Sequence, residues 1–128
     1  MKKKLRQLIV DDICFVYLLQ ERLKRDPDTE ELQWENELQI FEEGYPKHPL
    51  IIIFLAKDDY YMGNPLTKEI VEGLNLQLPG LLRRLLNYGL EQGWDGRQQR
   101  MKLSNGMAIL RSLGFDTKAV EPSAEPRI

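Results

Sequence analysis

The side chains with the greatest chemical potential in this sequence are few and isolated. His48 is the only histidine and Cys14 is the only cysteine. Nucleophilic catalysis at either residue would need a base and an orienting partner, and one histidine with one cysteine is too few for a usual zinc site. His48 lies in Tyr45-Pro46-Lys47-His48-Pro49, and Cys14 lies among apolar neighbours. We therefore predict a surface turn residue and a small core side chain in a reducing compartment.

Acidic residues occur in adjacent pairs that include Asp11-Asp12, Glu42-Glu43 and Asp58-Asp59. Neighbouring side chains on a strand point to opposite faces, so such pairs converge on an ion only where a turn intervenes. Asp58-Asp59 follows an apolar run and is the best placed for a metal, but no further carboxylate pattern accompanies it. A glycine-rich loop followed by Lys-Ser or Lys-Thr is also absent. The sequence therefore predicts a protein that is not an enzyme and has no metal or cofactor.

The formal net charge is only −2, but the charges are unevenly distributed along the 128 residues. The segment 26–43 contains no Lys or Arg, and its acidic residues are Asp26, Asp28, Glu30, Glu31, Glu35, Glu37, Glu42 and Glu43. The segment 83–111 is basic, with Arg83, Arg84, Arg97, Arg100, Lys102 and Arg111 against Glu91 and Asp95. This pattern predicts an acidic middle and a basic C-terminal third that could contact different partners.

The length and hydropathy of the chain predict one domain without a membrane segment. The basic start Lys2-Lys3-Lys4 precedes an apolar stretch that Asp11-Asp12 interrupts, which is not typical of a signal peptide. The most apolar run, 50–56, is far shorter than the ~20 residues that a membrane helix needs. We expect a cytoplasmic protein with one domain over residues 1–115. Residues 116–128 contain two prolines and little apolar content, which predicts a disordered tail.

The N-terminal half has the residue pattern of a β-sheet. The segment 5–23 is predicted to be a hairpin that turns at Asp11-Asp12, with a helix as the alternative. A loop is expected over residues 24–31. Apolar and polar residues then alternate from Leu32 to Ile40, which predicts a strand with one acidic face, and only Asn36 interrupts the apolar side. The continuous apolar run 50–55 predicts a central strand that is covered on both faces.

The C-terminal half has the punctuation of two helices. Pro79 is suited to the first helical position, and leucines follow at helical spacing until Gly93, which is suited to the left-handed cap. A second helix should begin at Ser104 or Asn105 and end at Gly114. The segment 67–76 fits a helix or a strand. The expected fold class is therefore α+β, a small and mostly antiparallel sheet from the N-terminal half packed by two C-terminal helices.

Two resemblances bear on function. Gly93-Trp94-Asp95, Asn105-Gly106 and Leu113-Gly114-Phe115 resemble a pattern in a group of small uncharacterised bacterial α+β proteins, which implies a fold and a bacterial origin but no activity. The segment 67–103 also resembles a winged helix-turn-helix. That resemblance implies a first helix opening at Thr67 and a DNA-binding surface formed by Arg83, Arg84, Arg97, Arg100 and Lys102.

The sequence favours a non-enzymatic protein-interaction module over a DNA-binding regulator. The acidic strand and loop supply the candidate protein-binding residues, which are Glu35, Glu37, Glu42 and Glu43. The plainer interpretation is that Glu35 and Glu37 keep an edge strand from aggregating. A sequence pI near 5.5 argues against a dedicated DNA-binding domain, which is usually basic as a whole. The expected partner is another protein of unidentified type, and a homodimer is left open.

Overall fold

The computed structural model describes residues 5–68 and 70–122, and this part of the chain has the predicted α+β fold. It contains a five-stranded sheet in the order β1-β2-β3-β4-β5 and three helices. Every pairing is antiparallel except the one between β4 and β5. The elements are β1 (Arg6–Val10), β2 (Ile13–Arg25), β3 (Leu32–Glu42), β4 (Leu50–Lys57), α1 (Pro65–Lys68), α2 (Pro79–Glu91), β5 (Met101–Leu103) and α3 (Gly106–Ser112).

The first two strands form the predicted hairpin, so the helical alternative for residues 5–23 is wrong. Asp11 and Asp12 have φ angles of 51° and 65°, and left-handed backbone at both central residues is typical of a two-residue hairpin turn. The β-branched and aromatic residues from Ile13 to Tyr17 then favour the extended backbone of β2.

The second hairpin is longer than the sequence predicts, because β2 continues to Arg25 and leaves only residues 26–31 for the turn. Asp26 holds this turn, since its Oδ1 accepts hydrogen bonds from the backbone N–H groups of Asp28 and Thr29 at 2.7 and 3.1 Å. These two bonds lower the pKa of Asp26, because they favour the ionised carboxylate.

The sheet has two different faces. The inner face carries Leu38 and Ile40 of β3 and Leu50, Ile52 and Phe54 of β4, which are fully buried against the leucines of α2. The outer face carries the alternate residues of the same strands. They include Val16, Leu18, Gln20 and Arg22 of β2, Glu35, Glu37, Gln39 and Phe41 of β3, and Ile51, Ile53 and Leu55 of β4.

The predicted position and covering of β4 are only partly correct. Its inner face is covered by a helix as expected, but β3 is the middle strand, and β5 flanks β4 at residues 50–52 alone. On the outer face, Leu55 is 39% exposed. The prediction that both faces are covered is therefore wrong, because a continuous apolar run does not reveal whether a second layer exists.

Both predicted helix ends are confirmed. In α2, the N–H groups of Gly93 and Trp94 donate to the carbonyl oxygens of Leu90 and Gly89 at 3.1 and 3.0 Å, and Gly93 has φ +99°. This is the Schellman arrangement, which closes a helix and turns the chain away. Gly114 and Phe115 end α3 in the same way. At the start of α3, Asn105 holds the capping position but makes no side-chain capping bond.

Two segments differ from expectation. The segment 67–76 is neither a strand nor a full helix, because α1 ends at Lys68 and a turn follows, while Glu69 lies outside the described residues. Residues 116–122 are not a disordered tail. Thr117 and Val120 are buried, and the carbonyl of Val120 accepts a 2.7 Å bond from the Lys57 N–H. The remainder of the predicted tail, 123–128, lies outside the described residues.

Candidate interaction surface

The structure separates the four predicted acidic residues. Glu35 and Glu37 lie together on the outer face of β3, as the alternation predicts. Glu43 follows the same face, and its carboxylate accepts a 3.3 Å hydrogen bond from Gln7 Nε2. Glu42 lies on the opposite side, in register with the inner-face residue Phe15. The four residues therefore do not form one surface, because adjacent strand positions face opposite ways.

The charges of these carboxylates are not equally available. Glu35 is paired with Lys24 Nζ at 2.9 Å and with Arg22 Nη1 at 3.8 Å. The Glu42 carboxylate accepts a 2.7 Å hydrogen bond from Arg97 Nε, and this ion pair raises the pKa of Arg97. Within residues 5–68 and 70–122, Glu37 forms no ion pair, and its carboxylate accepts a 2.6 Å hydrogen bond from Gln39 Nε2. Among the described residues, Glu37 is therefore an outer-face carboxylate of β3 that has no basic partner, in contrast to Glu35.

The outer face is also apolar along β4. Leu18 of β2 and Ile51 of β4 are buried there but lie outside the main core cluster. Ile53 is half-buried and Leu55 is more exposed. None of the described helices lies across this face, so these side chains have no second layer to pack against.

A groove runs over the outer end of β4. Its floor is Ile53 and Leu55, one wall is formed by Met107 and Ala108 of α3, and its volume is about 440 Å³. Polar and charged groups border it, which are Asp26, Gln33, Ser104, Asn105, Arg111 and Glu121. A second depression of about 410 Å³ adjoins it, because both share Asp26, Gln33 and Leu55. We call this continuous depression the outer-face groove.

Sequence reasoning identified the acidic side of this surface and missed its apolar floor. The continuous apolar run 50–55 was interpreted as a strand covered on both faces. A usable signal existed in the neighbouring strand. β3 alternates between apolar and polar residues, and a strand paired with it must share its uncovered face. Ile53 and Leu55 could therefore have been assigned to the same surface as Glu35 and Glu37.

A smaller exposed patch follows β4. Tyr60 and Tyr61 are almost fully exposed, and their rings meet edge to face with centroids 4.9 Å apart. Backbone bonds between Asp59 and Gly63 close this loop, and Asp59 Oδ1 accepts from the N–H groups of Tyr61 and Met62. The Asp58-Asp59 pair is therefore used in local structure, since Asp58 Oδ1 also accepts a 2.7 Å bond from Trp34 Nε1.

The five basic residues of the DNA-binding alternative lie in different surroundings. Arg84 donates to the carbonyl of Leu113 and lies over the Phe115 ring at 5.2 Å from its centroid. Arg97 is paired with Glu42 and lies over Tyr45. Lys102 is in register with Ile51, which places it at the outer face. Arg83 on α2 and Arg100 before β5 are exposed.

The two residues with the most reactive side chains are not arranged for catalysis. Cys14 is half-buried on the outer face and not in the core, which corrects the expectation from its apolar neighbours. Burial and the nearby Glu43 carboxylate raise the pKa of its thiol, which keeps it in the less nucleophilic protonated form. His48 contributes its backbone, since its carbonyl accepts a 3.1 Å bond from Trp94 Nε1. Over the described ranges, no three His, Cys, Asp or Glu residues lie close enough to hold a metal ion.

Comparisons with known proteins add no relative. No protein-family model, no curated protein and no solved structure matches the chain. None of the described helices is long and apolar enough to cross a membrane. The resemblances to the small bacterial proteins and to the winged helix therefore remain predictions.

Proposed function

We propose that this protein is a non-enzymatic protein-interaction module that binds a segment of another protein in the outer-face groove. One observation carries the proposal, namely that Ile53 and Leu55 form an apolar floor that no described element covers. Exposed apolar surface rimmed by polar groups is typical of interaction sites on proteins that are otherwise well packed. The size of the groove suits a few side chains of a peptide segment and not a whole domain.

The chemistry of the groove favours a partner segment with apolar anchors and a basic residue. Apolar side chains would cover Ile53 and Leu55 and remove them from water. Glu37 lies beside Ile53 across the strands and has no basic partner of its own, so a Lys or Arg of the segment could pair with it. Glu35 already has Lys24 and Arg22, and it would add little net charge. Binding should therefore weaken moderately as salt rises.

The proposal is tested with two surface variants and two matched controls. Leu55→Lys places an ammonium group on the groove floor, and Glu37→Gln removes the unpaired charge. Leu90→Lys is the control for the first, because Leu90 is 44% exposed on α2 whereas Leu55 is 39% exposed on the sheet. Glu91→Gln is the control for the second, since it makes the same charge change on the helix layer.

Each variant is used to capture partners from a native lysate at low and moderate salt, and the affinity of a captured protein is then measured after purification. We expect wild type and both controls to bind alike. Leu55→Lys should weaken binding at least ~10-fold, equivalent to about 1.4 kcal/mol, and Glu37→Gln should weaken it less. Equal capture by all four variants, or no partner with any of them, would contradict the groove as the binding site.

The alternative proposal is a winged-helix-like regulator that binds duplex DNA through Arg83, Arg84, Arg97, Arg100 and Lys102. The internal contacts of Arg84 and Arg97 favour the first proposal, because two of the five side chains are already used within the molecule. The four-residue α1 and the single parallel strand β5 are also shorter than the helix and wing that this function uses.

DNA binding is tested by an anisotropy titration against a mixed-sequence duplex. We expect no binding tighter than ~10 μM at about 150 mM salt, which is within the non-specific range. The Arg83→Ala, Arg84→Ala double variant should behave like wild type. Submicromolar affinity that the double variant abolishes would replace the interaction module by the DNA-binding regulator.

A further inference from the structure

The rest of the described chain covers one edge of the sheet and leaves the other edge open. The β4 edge is covered by β5 at residues 50–52, by α3 where Gly106 meets Phe54 and the Ile53 carbonyl, and by the Val120 carbonyl at Lys57. The opposite edge is β1, and no described strand pairs with its outer side. Proteins usually protect such an edge with charge, proline, a bulge or a covering segment. β1 has only Arg6 in this role. Ile9 of the strand is 60% exposed, and Leu5, which immediately precedes the strand, is 58% exposed.

The hydrogen-bond pattern shows which β1 residues direct their backbone groups outwards. The Cys14 carbonyl accepts a 2.9 Å bond from the Glu43 N–H, so the Cys14 backbone is directed towards β3 and away from β1. Its cross-strand partner Ile9 is therefore in a non-hydrogen-bonded pair. Because this orientation alternates along a strand, Gln7 and Ile9 direct their N–H and C=O groups to the open edge, and extending β1 by one residue would direct those of Leu5 the same way.

These same three residues are self-complementary. If a second copy lies antiparallel with a two-fold axis at Gln7, Gln7 faces Gln7 of the second copy, Leu5 faces Ile9, and Ile9 faces Leu5. All three are then hydrogen-bonded pairs, and each exposed apolar side chain covers the other on the same face. A two-fold axis at Leu8 also satisfies the backbone pattern, but it places Leu5 opposite Asp11 and Ile9 opposite Gln7. The axis at Gln7 therefore buries more apolar surface.

We propose that the chain forms a two-fold homodimer through antiparallel pairing of β1 with β1 of a second copy, in the register that places Gln7 on the axis. The two sheets become one continuous sheet with both outer faces on the same side. This dimer does not depend on the proposed partner binding, since Leu55 and the groove lie on β4, three strands away. An edge-to-edge contact of this length is small, so the dimer should be weak, with a dissociation constant in the micromolar range.

Sedimentation of the full chain over a wide concentration range tests this interface. Gln7→Pro removes an N–H that points outwards, so it should break the dimer without disturbing the pairing of β1 with β2. Ile9→Lys places an ammonium group opposite Leu5 of the second copy. Leu23→Lys is the matched control, because Leu23 is a 48% exposed leucine on β2 away from the β1 edge. Circular dichroism and thermal melting show that each variant is folded.

For wild type and Leu23→Lys, the average mass should rise from 15.0 kDa towards twice that value as concentration increases. Gln7→Pro and Ile9→Lys should weaken the association at least ~10-fold, equivalent to about 1.4 kcal/mol. A wild-type protein that stays monomeric throughout, or a folded Gln7→Pro variant that dimerises like wild type, would overturn the proposal. Either failure would leave the groove proposal intact, because capture by Leu55→Lys and Leu90→Lys is measured separately.

Amide hydrogen exchange on wild type gives a test that needs no variant. The N–H groups of Gln7 and Ile9 should become protected as the concentration rises, since they bond only across the dimer. The N–H of Leu8 points to β2 and should be protected at every concentration. Dimerisation without a change at Gln7 and Ile9 would assign the interface elsewhere and overturn the β1 register.

Discussion

The two faces of β4 are built from the same residue types but have different surroundings. Leu50, Ile52 and Phe54 point inwards and are fully buried in the core cluster that includes residues of α2 and α3, whereas Ile53 and Leu55 point outwards and remain partly exposed. Only the alternation of side chains along the strand separates the two sets. The same apolar composition therefore supports folding on one face and stays partly exposed on the other.

The polar residues of β3 show the same contrast. Asn36 points inwards and is fully buried, and its Oδ1 accepts a 2.6 Å hydrogen bond from Asn64 Nδ2. Its neighbour Glu37 points outwards and bonds to Gln39 on its own strand. The inner polar residue connects the segment before α1 to the sheet, whereas the side-chain hydrogen bond of Glu37 stays within its own strand. Buried polar groups stabilise a fold only when they are paired in this way.

The largest difference between the two faces should appear when the same charge is placed at adjacent positions of β4. Phe54→Lys would bury an unpaired ammonium group and should remove more than about 4 kcal/mol of unfolding free energy, enough to unfold the domain. Leu55→Lys should change it by less than about 1 kcal/mol, since the side chain can reach water. Urea denaturation followed by circular dichroism measures both. A folded, cooperatively melting Phe54→Lys variant would show that the inner face is not the core.

A smaller contrast is expected between the polar residues. Asn36→Ala removes one of the two acceptors of the Asn64 amide in a buried site and should lower the free energy of unfolding by about 2 kcal/mol. Gln39→Ala on the outer face should lower it by less than about 0.5 kcal/mol. Chemical denaturation of the two variants side by side provides the comparison. Equal effects would mean that the outer face is as tightly packed as the inner one.

The helix layer that covers the inner face can be probed at its end. Gly93→Ala forces alanine into a backbone conformation with φ +99°, although no atom lies within 4 Å of the added carbon. The loss should be about 1 kcal/mol, due to conformation alone. Gly80→Ala is the matched control, because it also meets no atom but has no positive φ. It should raise stability by roughly 0.5 kcal/mol, and a thermal melt in which both variants shift alike would contradict this account of the helix end.

The smallest effect concerns the turn at the open end of the outer face. The pKa of Asp26 is lowered from its ordinary value of 3.8, so its contribution to stability is present above that value and is lost as the pH falls through the lower folded pKa. The amide resonances of Asp28 and Thr29 should therefore move as the carboxylate is protonated. In Asp26→Asn, that pH-dependent movement should disappear. A midpoint at or above 3.8 would show that the two backbone bonds do not stabilise the ionised form.

Much of the architecture could be predicted because it depends on local chemistry. The hairpin at Asp11-Asp12, the alternation of β3 and the glycine-terminated ends of α2 and α3 each follow from neighbouring residues. The longer β2, the one-turn α1 and the packed segment 116–122 could not be predicted in this way. Val120, for example, belongs to the core cluster and its carbonyl accepts a bond from the Lys57 N–H, so it is held by residues far apart in sequence.

The same distinction between local chemistry and long-range contacts applies to the candidate site. Sequence alone determined that Glu35 and Glu37 share one polar strand face, because strand geometry has a period of two. Only the tertiary structure decided which carboxylates are paired: Glu35 forms ion pairs with Lys24 and Arg22, and Glu42 forms one with Arg97. It also decided that Ile53 and Leu55 stay partly exposed. The physical reason is that burial and charge pairing depend on which distant elements meet in space, whereas side-chain alternation depends on the backbone of a single strand.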